Sequence, residues 1–263
     1  MSKTDKMIAE TEGPIGWITF NNPARHNAVS MPMWEALADI VAAYASDASV
    51  RVVVLKGAGD KAFVSGADIS EFEAKRSSPE TTRLYNDAAG KANLALQQLA
   101  KPTIAMINGY CIGGGLGLAL SCDLRIAADN ARFGVPAAKL GLGYEIKGVR
   151  KLVEAVGPAF AKEIFFTARQ FDAAEALAMG LINRVRAASE LESHVRDCAG
   201  SIAANAPLTV ASIKTIVGEI LKDESHRDLA LCQEVVDRCF RSEDYIEGRT
   251  AFMAKRKPVF KGR

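Results

Sequence analysis

A glycine-rich run near the middle of the chain contains the groups best suited to chemistry. Residues 103–107 are mostly β-branched or apolar, Gly113, Gly114 and Gly115 follow, and residues 116–120 are small and apolar. This order predicts a strand, a glycine turn and a buried helix. Glycine lets the backbone approach a bound molecule closely, and the N–H groups of a first helical turn have no partner inside the helix. The run therefore predicts backbone donors that attract an oxyanion.

A second glycine turn precedes this run. Gly66 and Ala67 lie within residues 62–71, where they place another amide N–H at the end of a predicted strand. Alone, such a turn is more often structural, because small residues are common in loops. Two backbone donors from separate segments are, however, what an oxyanion hole for a thioester enolate requires. The pair of turns therefore favours a catalytic interpretation.

The composition argues against other kinds of site. The 263 residues are 49% hydrophobic and carry a net charge of +2, which gives no overall field suited to nucleic acid. The five cysteines form no C-x-x-C pair and the three histidines are far apart, so we expect reduced thiols and no metal site. The N-terminus lacks a signal-peptide pattern, and no apolar stretch is long enough to cross a bilayer. We therefore expect a soluble, cytoplasmic protein with no nucleic-acid or membrane partner.

Strands and helices must hold the two turns in place. Residues 50–55 are apolar on both faces, which is typical of an interior strand, and residues 16–20, 124–127 and 181–185 are further short strands. A helix is predicted from about residue 81 to 99. The alternation predicts an α/β fold with mostly parallel strands.

Beyond residue 190 the strand pattern stops and amphipathic helices follow. They are predicted over residues 191–204, 208–221, 229–240 and 245–254. We expect a core over residues 1–199 and a helical C-terminal subdomain over residues 200–263, which packs on the core or on a neighbouring subunit.

The order of five motifs covers nearly the whole chain. They are Asn22-Pro-Ala-Arg-His-Asn27, Phe63-x-x-Gly-Ala-Asp-Ile69, the run from Lys101 to Asp123, Ala131-Arg-Phe-Gly134, and the segment from Ala173 to Val185. This order resembles the enoyl-CoA hydratase/isomerase (crotonase) superfamily. The resemblance implies a crotonase (ClpP-like) spiral of ββα units with a helical C-terminus. It also implies an acyl-CoA substrate, no cofactor apart from the coenzyme A of that substrate, and a homotrimer or dimer of trimers.

The resemblance also assigns roles to residues. It places the oxyanion donors at the N–H groups of Ala67 and Gly114. It places the substrate and its coenzyme A near Arg25, Ser65, Gly66, Asp68, Ile69, Gly113 and, in the basic tail, Lys255. A solvated charge run is the alternative explanation for that tail. Asp68, Glu71 and Asp123 are expected to be turn or capping groups.

Two positions depart from the pattern of the family's hydratases. Those enzymes use two glutamates to activate water and to move the proton, and the corresponding positions here are Gly117 and Ala137. A general base must reach its proton within hydrogen-bond distance, which neither residue can do. Hydration by the usual glutamate pair is therefore not expected.

One branch of this superfamily, the methylmalonyl-CoA decarboxylases, resembles the chain in residues 140–148, 163–168 and 242–248. In that branch a tyrosine hydroxyl contacts the substrate carboxylate. Tyr144 matches that tyrosine, although the branch can carry histidine in place of Ala67 and asparagine in place of Glu145.

Three functions remain open. They are decarboxylation of a short 2-carboxyacyl-CoA, hydration or isomerisation of an enoyl-CoA through Glu145, and non-catalytic binding of acyl-CoA or RNA. A solvent-facing Glu145 is the favoured arrangement, because glutamate is seldom buried without a partner.

Overall fold

A six-stranded sheet forms one layer of the protein, in a computed structural model that describes residues 4–68 and 79–263. Its strands, in spatial order, are β1 (Met7–Glu12), β2 (Ile15–Phe20), β3 (Val52–Gly57), β5 (Thr103–Ile107), β7 (Leu124–Ala128) and β10 (Arg184–Arg186). Strand β1 pairs antiparallel with β2, whereas the other pairs are parallel.

A second sheet of four short strands lies against the first. The strands, in spatial order, are β4 (Ala62–Val64), β6 (Tyr110–Ile112), β8 (Arg132–Gly134) and β9 (Phe171–Asp172). Along the chain, β3 to β8 alternate between the two sheets. This alternation confirms the expected spiral of ββα units and the α/β fold.

Helices cover the sheets and form the C-terminal part of the chain. They are α1 (Met31–Ser46), α2 (Pro79–Gln98), α3 (Gly114–Ala119), α4 (Ala137–Leu140), α5 (Ile146–Thr167), α6 (Ala173–Ala178), α7 (Leu191–Ala203), α8 (Pro207–Ile220), α9 (Leu229–Phe240) and α10 (Glu243–Met253). Within α5, Gly157 has φ 75° and Pro158 follows, so the helix kinks there. None of the described helices is long and apolar enough to span a membrane.

Two apolar clusters lie on opposite faces of the large sheet. In β3, Val53 and Leu55 belong to the larger cluster, while Val52 and Val54 belong to the cluster beneath α7. Both faces of this strand are therefore buried, which confirms the interior strand predicted from its apolar sequence.

Two details of the sheet differ from the predictions. Strand β1 was not predicted, since five of its six residues are exposed and polar side chains alternate with apolar ones there only weakly. The strand predicted over residues 181–185 is β10, which begins later, at Arg184. The Asn183 side chain accepts the Arg125 N–H at 2.8 Å, and its own N–H donates to the Arg125 carbonyl, so Leu181 and Ile182 pack as core residues before strand pairing starts.

Helix α7 joins the core to the C-terminal helices. Leu191, Val195, Ala199 and Ala203 of α7 pack on the large sheet. Residue 200, the predicted start of the C-terminal subdomain, lies in the last turns of this helix. The next helix, α8, begins only at Pro207.

Candidate active site

The two glycine turns lie side by side. Strands β4 and β6 pair in parallel, so the turns that follow them leave the small sheet at the same edge. A Cβ atom built on Gly114 would lie 3.9 Å from the Gly66 Cα atom and 4.0 Å from the Ala67 nitrogen. The structure therefore brings together the two segments that the sequence singled out.

The N–H group of Ala67 is directed away from Val29, with which Ala67 forms a parallel β-bridge. The Val29 N–H donates to the Gly66 carbonyl at 2.9 Å, and the Asp68 N–H donates to the Val29 carbonyl at 3.2 Å. In a parallel bridge of this kind, the central residue turns its own N–H to the opposite side. Within residues 4–68 and 79–263, no acceptor is bonded to the Ala67 N–H.

The N–H group of Gly114 is the second donor. Gly114 is the first residue of α3, so its N–H has no partner inside the helix. The preceding residue, Gly113, has φ 56° and uses its own N–H on the Gly134 carbonyl at 2.8 Å. No acceptor for the Gly114 N–H occurs among the described residues. Two unpaired N–H groups from separate segments are thus available to one oxyanion.

Gly115 and Gly117 have different surroundings although both lie in α3. A Cβ on Gly115 would be 2.0 Å from the Val64 carbonyl oxygen, because the helix is pressed against β4. Apart from the backbone of its own helix, a Cβ on Gly117 would meet no heavy atom of the described chain within 4 Å. Ala137, the first residue of α4, is buried at 5% exposure. Where hydratases carry their two glutamates, this chain therefore has open space beside Gly117 and only the buried methyl group of Ala137.

Tyr144 contributes a phenol without a hydrogen-bond partner. Its ring meets the Phe165 ring edge to face at 5.0 Å between centroids and lies 3.4 Å from a Cβ built on Gly148. The side chain is 41% exposed, and its hydroxyl bonds to none of the described residues. Partial burial raises the pKa of Tyr144. The hydroxyl is therefore a protonated donor available to a ligand.

Glu145 occupies the N-cap position of α5 and is exposed. Its carbonyl accepts the N–H groups of Gly148 and Val149, whereas its carboxylate bonds to no described residue. This exposure agrees with the solvent-facing arrangement that we favoured from the sequence.

Arg25 lies next to the turn that contains Gly66 and Ala67. The Ser65 N–H donates to the His26 carbonyl at 3.1 Å, and the Ser65 hydroxyl lies 3.4 Å from the Arg25 carbonyl. Buried Asn27 fixes this segment, because its side-chain amide donates to the Ala62 carbonyl at 2.7 Å. The Arg25 guanidinium is exposed, so it is accessible to an anionic group.

The basic tail is only partly available for binding. Lys255 is exposed with φ 51°, whereas the Arg256 guanidinium forms a bidentate ion pair with the Glu247 carboxylate. No hydrogen bond or ion pair of the described chain joins Lys255 to Arg25 or Ser65. Ile69, also predicted near coenzyme A, and Glu71 lie outside the described residues.

Asp123 has the structural role expected of it. Its carboxylate accepts the N–H and the hydroxyl of Thr103, at 2.7 and 2.9 Å, and pairs with the Lys214 ammonium at 2.8 Å. It ties β5 to α8 and is not free for catalysis. Asp68, next to the Ala67 donor, is buried at 7% exposure.

Sequence reasoning missed one polar residue near Gly117. Lys151 of α5 donates to the Ser121 hydroxyl at 2.8 Å, and that hydroxyl lies 2.8 Å from the Gly117 carbonyl oxygen. The Ser121 contact, from a different helix, had no sequence signal.

Comparisons with known proteins agree with the geometry. The family model described as Enoyl-CoA hydratase/isomerase matches residues 10–263. The chain is 37% identical over 253 residues to a short-chain-enoyl-CoA hydratase of Clostridium acetobutylicum, covering 96% of each chain. It is 35% identical over 256 residues to a crotonyl-CoA hydratase of Syntrophomonas wolfei, covering 97% of this chain and 98% of the relative. The crystal structure of an enoyl-CoA hydratase/carnithine racemase from Magnetospirillum magneticum superposes with a TM-score of 0.91 at 37% identity, covering 99% of this chain and 97% of that one.

Proposed function

The chain belongs to the enoyl-CoA hydratase/isomerase family, and from that premise we propose that it decarboxylates a short 2-carboxyacyl-CoA of the methylmalonyl-CoA type. In this proposal the thioester oxygen accepts hydrogen bonds from the N–H groups of Ala67 and Gly114. Their lack of any acceptor among the described residues supports the assignment. Donors fixed in advance stabilise developing negative charge without reorganisation, and one such donor is typically worth about 3–4 kcal/mol.

The observation that carries the proposal is the absence of a carboxylate at Gly117 and Ala137. When the bond between C2 and the carboxyl group breaks, carbon dioxide leaves and the bonding electrons form the enolate, whose C2 later takes a proton from water. No base is needed for this step. A glutamate next to the substrate carboxylate would repel it by about 4 kcal/mol, for unit charges about 4 Å apart at an effective dielectric constant of about 20. Glycine and alanine avoid that repulsion.

Tyr144 is suited to hold the substrate carboxylate. Its unpartnered hydroxyl donates one hydrogen bond and carries no charge, since burial raises its pKa. As a hydrogen-bond donor, the hydroxyl orients the carboxylate for cleavage of its bond to C2. Transfer of the carboxylate out of bulk water favours the loss of carbon dioxide.

Two substrates and one matched pair of variants test the proposal. Purified protein is incubated with methylmalonyl-CoA labelled in its free carboxyl group and, separately, with crotonyl-CoA. We expect labelled carbon dioxide from the first substrate. Tyr144→Phe should lower that rate about tenfold or more, the loss expected for a hydrogen bond to a charged group. Tyr245→Phe, a change at a tyrosine of α10, is the control and should match the wild type. Consumption of crotonyl-CoA without carbon dioxide release from methylmalonyl-CoA would refute decarboxylation.

Hydration or isomerisation of an enoyl-CoA is the second candidate. It is favoured by the names of the relatives, which include a short-chain-enoyl-CoA hydratase and a crotonyl-CoA hydratase. Glu145, exposed next to Tyr144, is the carboxylate that would act in place of the glutamate pair. In that case Glu145→Gln should abolish crotonyl-CoA turnover, whereas Glu154→Gln on the same helix should not. Turnover of neither substrate would leave the non-catalytic acyl-CoA-binding or RNA-binding alternative.

A homotrimer or dimer of trimers belongs to the same proposal. The C-terminal helices expose large apolar side chains, which favour burial against another subunit. Among them are Ile213, Ile220, Leu229, Phe240 and Phe252. Light scattering after size-exclusion chromatography would measure the assembly, and a monomer would contradict this expectation.

A further inference from the structure

A polar network lies where α2, α3 and α5 meet. The Lys151 ammonium donates to the Ser121 hydroxyl at 2.8 Å. That hydroxyl lies 2.8 Å from both the Gly117 carbonyl oxygen and the Asn93 Oδ1 atom. The Asn93 amide nitrogen donates to the Ala89 carbonyl at 2.8 Å, which fixes the orientation of the side chain. Ser121 is 3% exposed, so the network is held firmly within the protein.

The Lys151 ammonium has no counter-ion in the described part of the chain. Its bonded partner, Ser121, is neutral, and the nearby Glu154 carboxylate is paired with Arg150 at 2.7 Å. An ammonium carries three N–H donors, and Ser121 receives one of them. Partial burial lowers the pKa of Lys151, since the charge is partly removed from water. A partly buried cation without a counter-ion is costly in a folded protein and is stabilised when an anion binds.

Two hydrogen bonds through Ser121 link this ammonium to Gly117, whose Cβ position has open space around it. Gly117 and Ser121 are four residues apart and their hydrogen bond shows that they share one face of α3 and its final turn. Tyr144 lies two residues before α5 and its ring packs over Gly148 in the first turn of that helix, whereas Lys151 lies one turn further along the helix. The unpartnered phenol thus packs against the first turn of α5, and the ammonium on the next turn reaches Ser121, just after α3.

We propose that the Lys151 ammonium binds the carboxylate of the substrate's acyl group and thereby selects CoA thioesters with an anionic acyl group over neutral ones. The inference rests on the proposed function, since it assumes that the acyl group enters the space beside Gly117. Lys151 and Tyr144 then share the two carboxylate oxygens. Asn93 and Ser121 act as positioning residues, because they hold the lysine side chain in place.

Two unreactive thioethers of coenzyme A test this assignment without turnover. S-(2-carboxypropyl)-CoA and S-isobutyl-CoA have nearly the same shape, differ by one carboxylate, and lack the thioester oxygen. Their dissociation constants are measured by calorimetry with wild-type protein, Lys151→Met and Lys147→Met. Lys147 is an exposed lysine of the same helix, so its variant controls for the loss of one positive charge. Wild type and Lys147→Met should bind the carboxylated thioether about tenfold or more tightly than the neutral one, the range for a hydrogen bond between charged groups. Lys151→Met should reduce this preference about tenfold or more, to what Tyr144 alone contributes, and should bind S-isobutyl-CoA as the wild type does.

The outcomes separate this inference from the proposed function. A preference as large in Lys151→Met as in the wild type would overturn the role of Lys151 and leave decarboxylation intact. Equal binding of both thioethers by the wild type would overturn carboxylate recognition altogether. A preference reduced in Lys151→Met, without carbon dioxide release from methylmalonyl-CoA, would support Lys151 and refute decarboxylation. If Lys151→Met does not fold, Lys151→Gln, which keeps a donor for Ser121 without the charge, takes its place with the same expected loss.

Discussion

Returning a carboxylate to position 117 tests the electrostatic reasoning directly. The substitution Gly117→Glu fits the structure, because a Cβ there meets no described heavy atom within 4 Å apart from the backbone of its own helix, and the glycine has ordinary helical geometry. Removing a glycine from a helix stabilises it by about 0.5–1 kcal/mol. The variant should therefore fold at least as well as the wild type, so that any loss of activity reports on the site.

The expected loss follows from Coulomb's law. The introduced carboxylate and the substrate carboxylate would lie about 4 Å apart, which costs about 4 kcal/mol at an effective dielectric constant of about 20. Each 1.4 kcal/mol corresponds to about a factor of ten in rate, so kcat/KM for decarboxylation should fall about a thousandfold. The new carboxylate could also pair with Lys151, which lies within two hydrogen bonds of the Gly117 carbonyl, and this competition acts in the same direction.

The assay compares carbon dioxide release by wild type, Gly117→Gln and Gly117→Glu. The glutamine has the shape of glutamate without its charge, so the ratio of these two variants isolates the electrostatic effect. We expect Gly117→Gln to stay within about tenfold of the wild type and Gly117→Glu to fall about a thousandfold. Equal rates for the two variants would refute a substrate carboxylate beside position 117. A gain of crotonyl-CoA hydration in Gly117→Glu with unchanged decarboxylation would have the same meaning.

Three further expectations concern packing and titration. Gly115→Ala should destabilise the fold by about 1–3 kcal/mol or more in denaturant unfolding, because its Cβ would lie 2.0 Å from the Val64 carbonyl oxygen; a stability equal to that of Gly117→Ala would contradict this. Because burial raises the pKa of Tyr144 above its usual value, its hydroxyl stays protonated between pH 7 and pH 9, so the Tyr144→Phe effect on carbon dioxide release should be the same at both. A deficit that vanishes by pH 9 would show a lowered pKa and contradict this expectation. Burial also raises the pKa of the Cys122 thiol to about 12, so native protein at pH 8 should show fewer thiols reactive with Ellman's reagent than unfolded protein, and mass spectrometry should find Cys122 unmodified.

Much of the architecture could be predicted because it depends on local patterns. The apolar run in β3 reflects burial on both faces, and the helix predicted from about residue 81 to 99 is α2, which buries Ala92 and Leu96 in the core. The two glycine turns could be paired because their chemistry is complementary, although they are far apart in sequence. Their contact, at 4.0 Å between the Gly114 Cβ position and the Ala67 nitrogen, required the parallel pairing of β4 with β6.

The features that escaped prediction depend on partners from other segments. Strand β1 exposes most of its residues, and its identity comes from pairing with β2. The role proposed for Lys151 likewise depends on its hydrogen bond to Ser121, thirty residues away, and on the ion pair between Glu154 and Arg150. A lysine in a helix is ordinarily a solvated residue, so no local pattern distinguishes one that lacks a counter-ion.

Gly113, Gly115 and Gly117 look alike in the sequence, but a different physical reason explains the glycine at each position. Gly113 has φ 56°, a conformation that a residue with a side chain seldom adopts, and it turns the chain so that the next N–H is free. Gly115 allows α3 to lie against the Val64 carbonyl. Neither reason applies to Gly117, which has helical geometry and open space around it, so the fold alone does not require glycine there. A glycine that destabilises its helix without being required by the fold is best explained by the neighbouring site. At position 117 it keeps a carboxylate out of that site, and Gly117→Glu would introduce one.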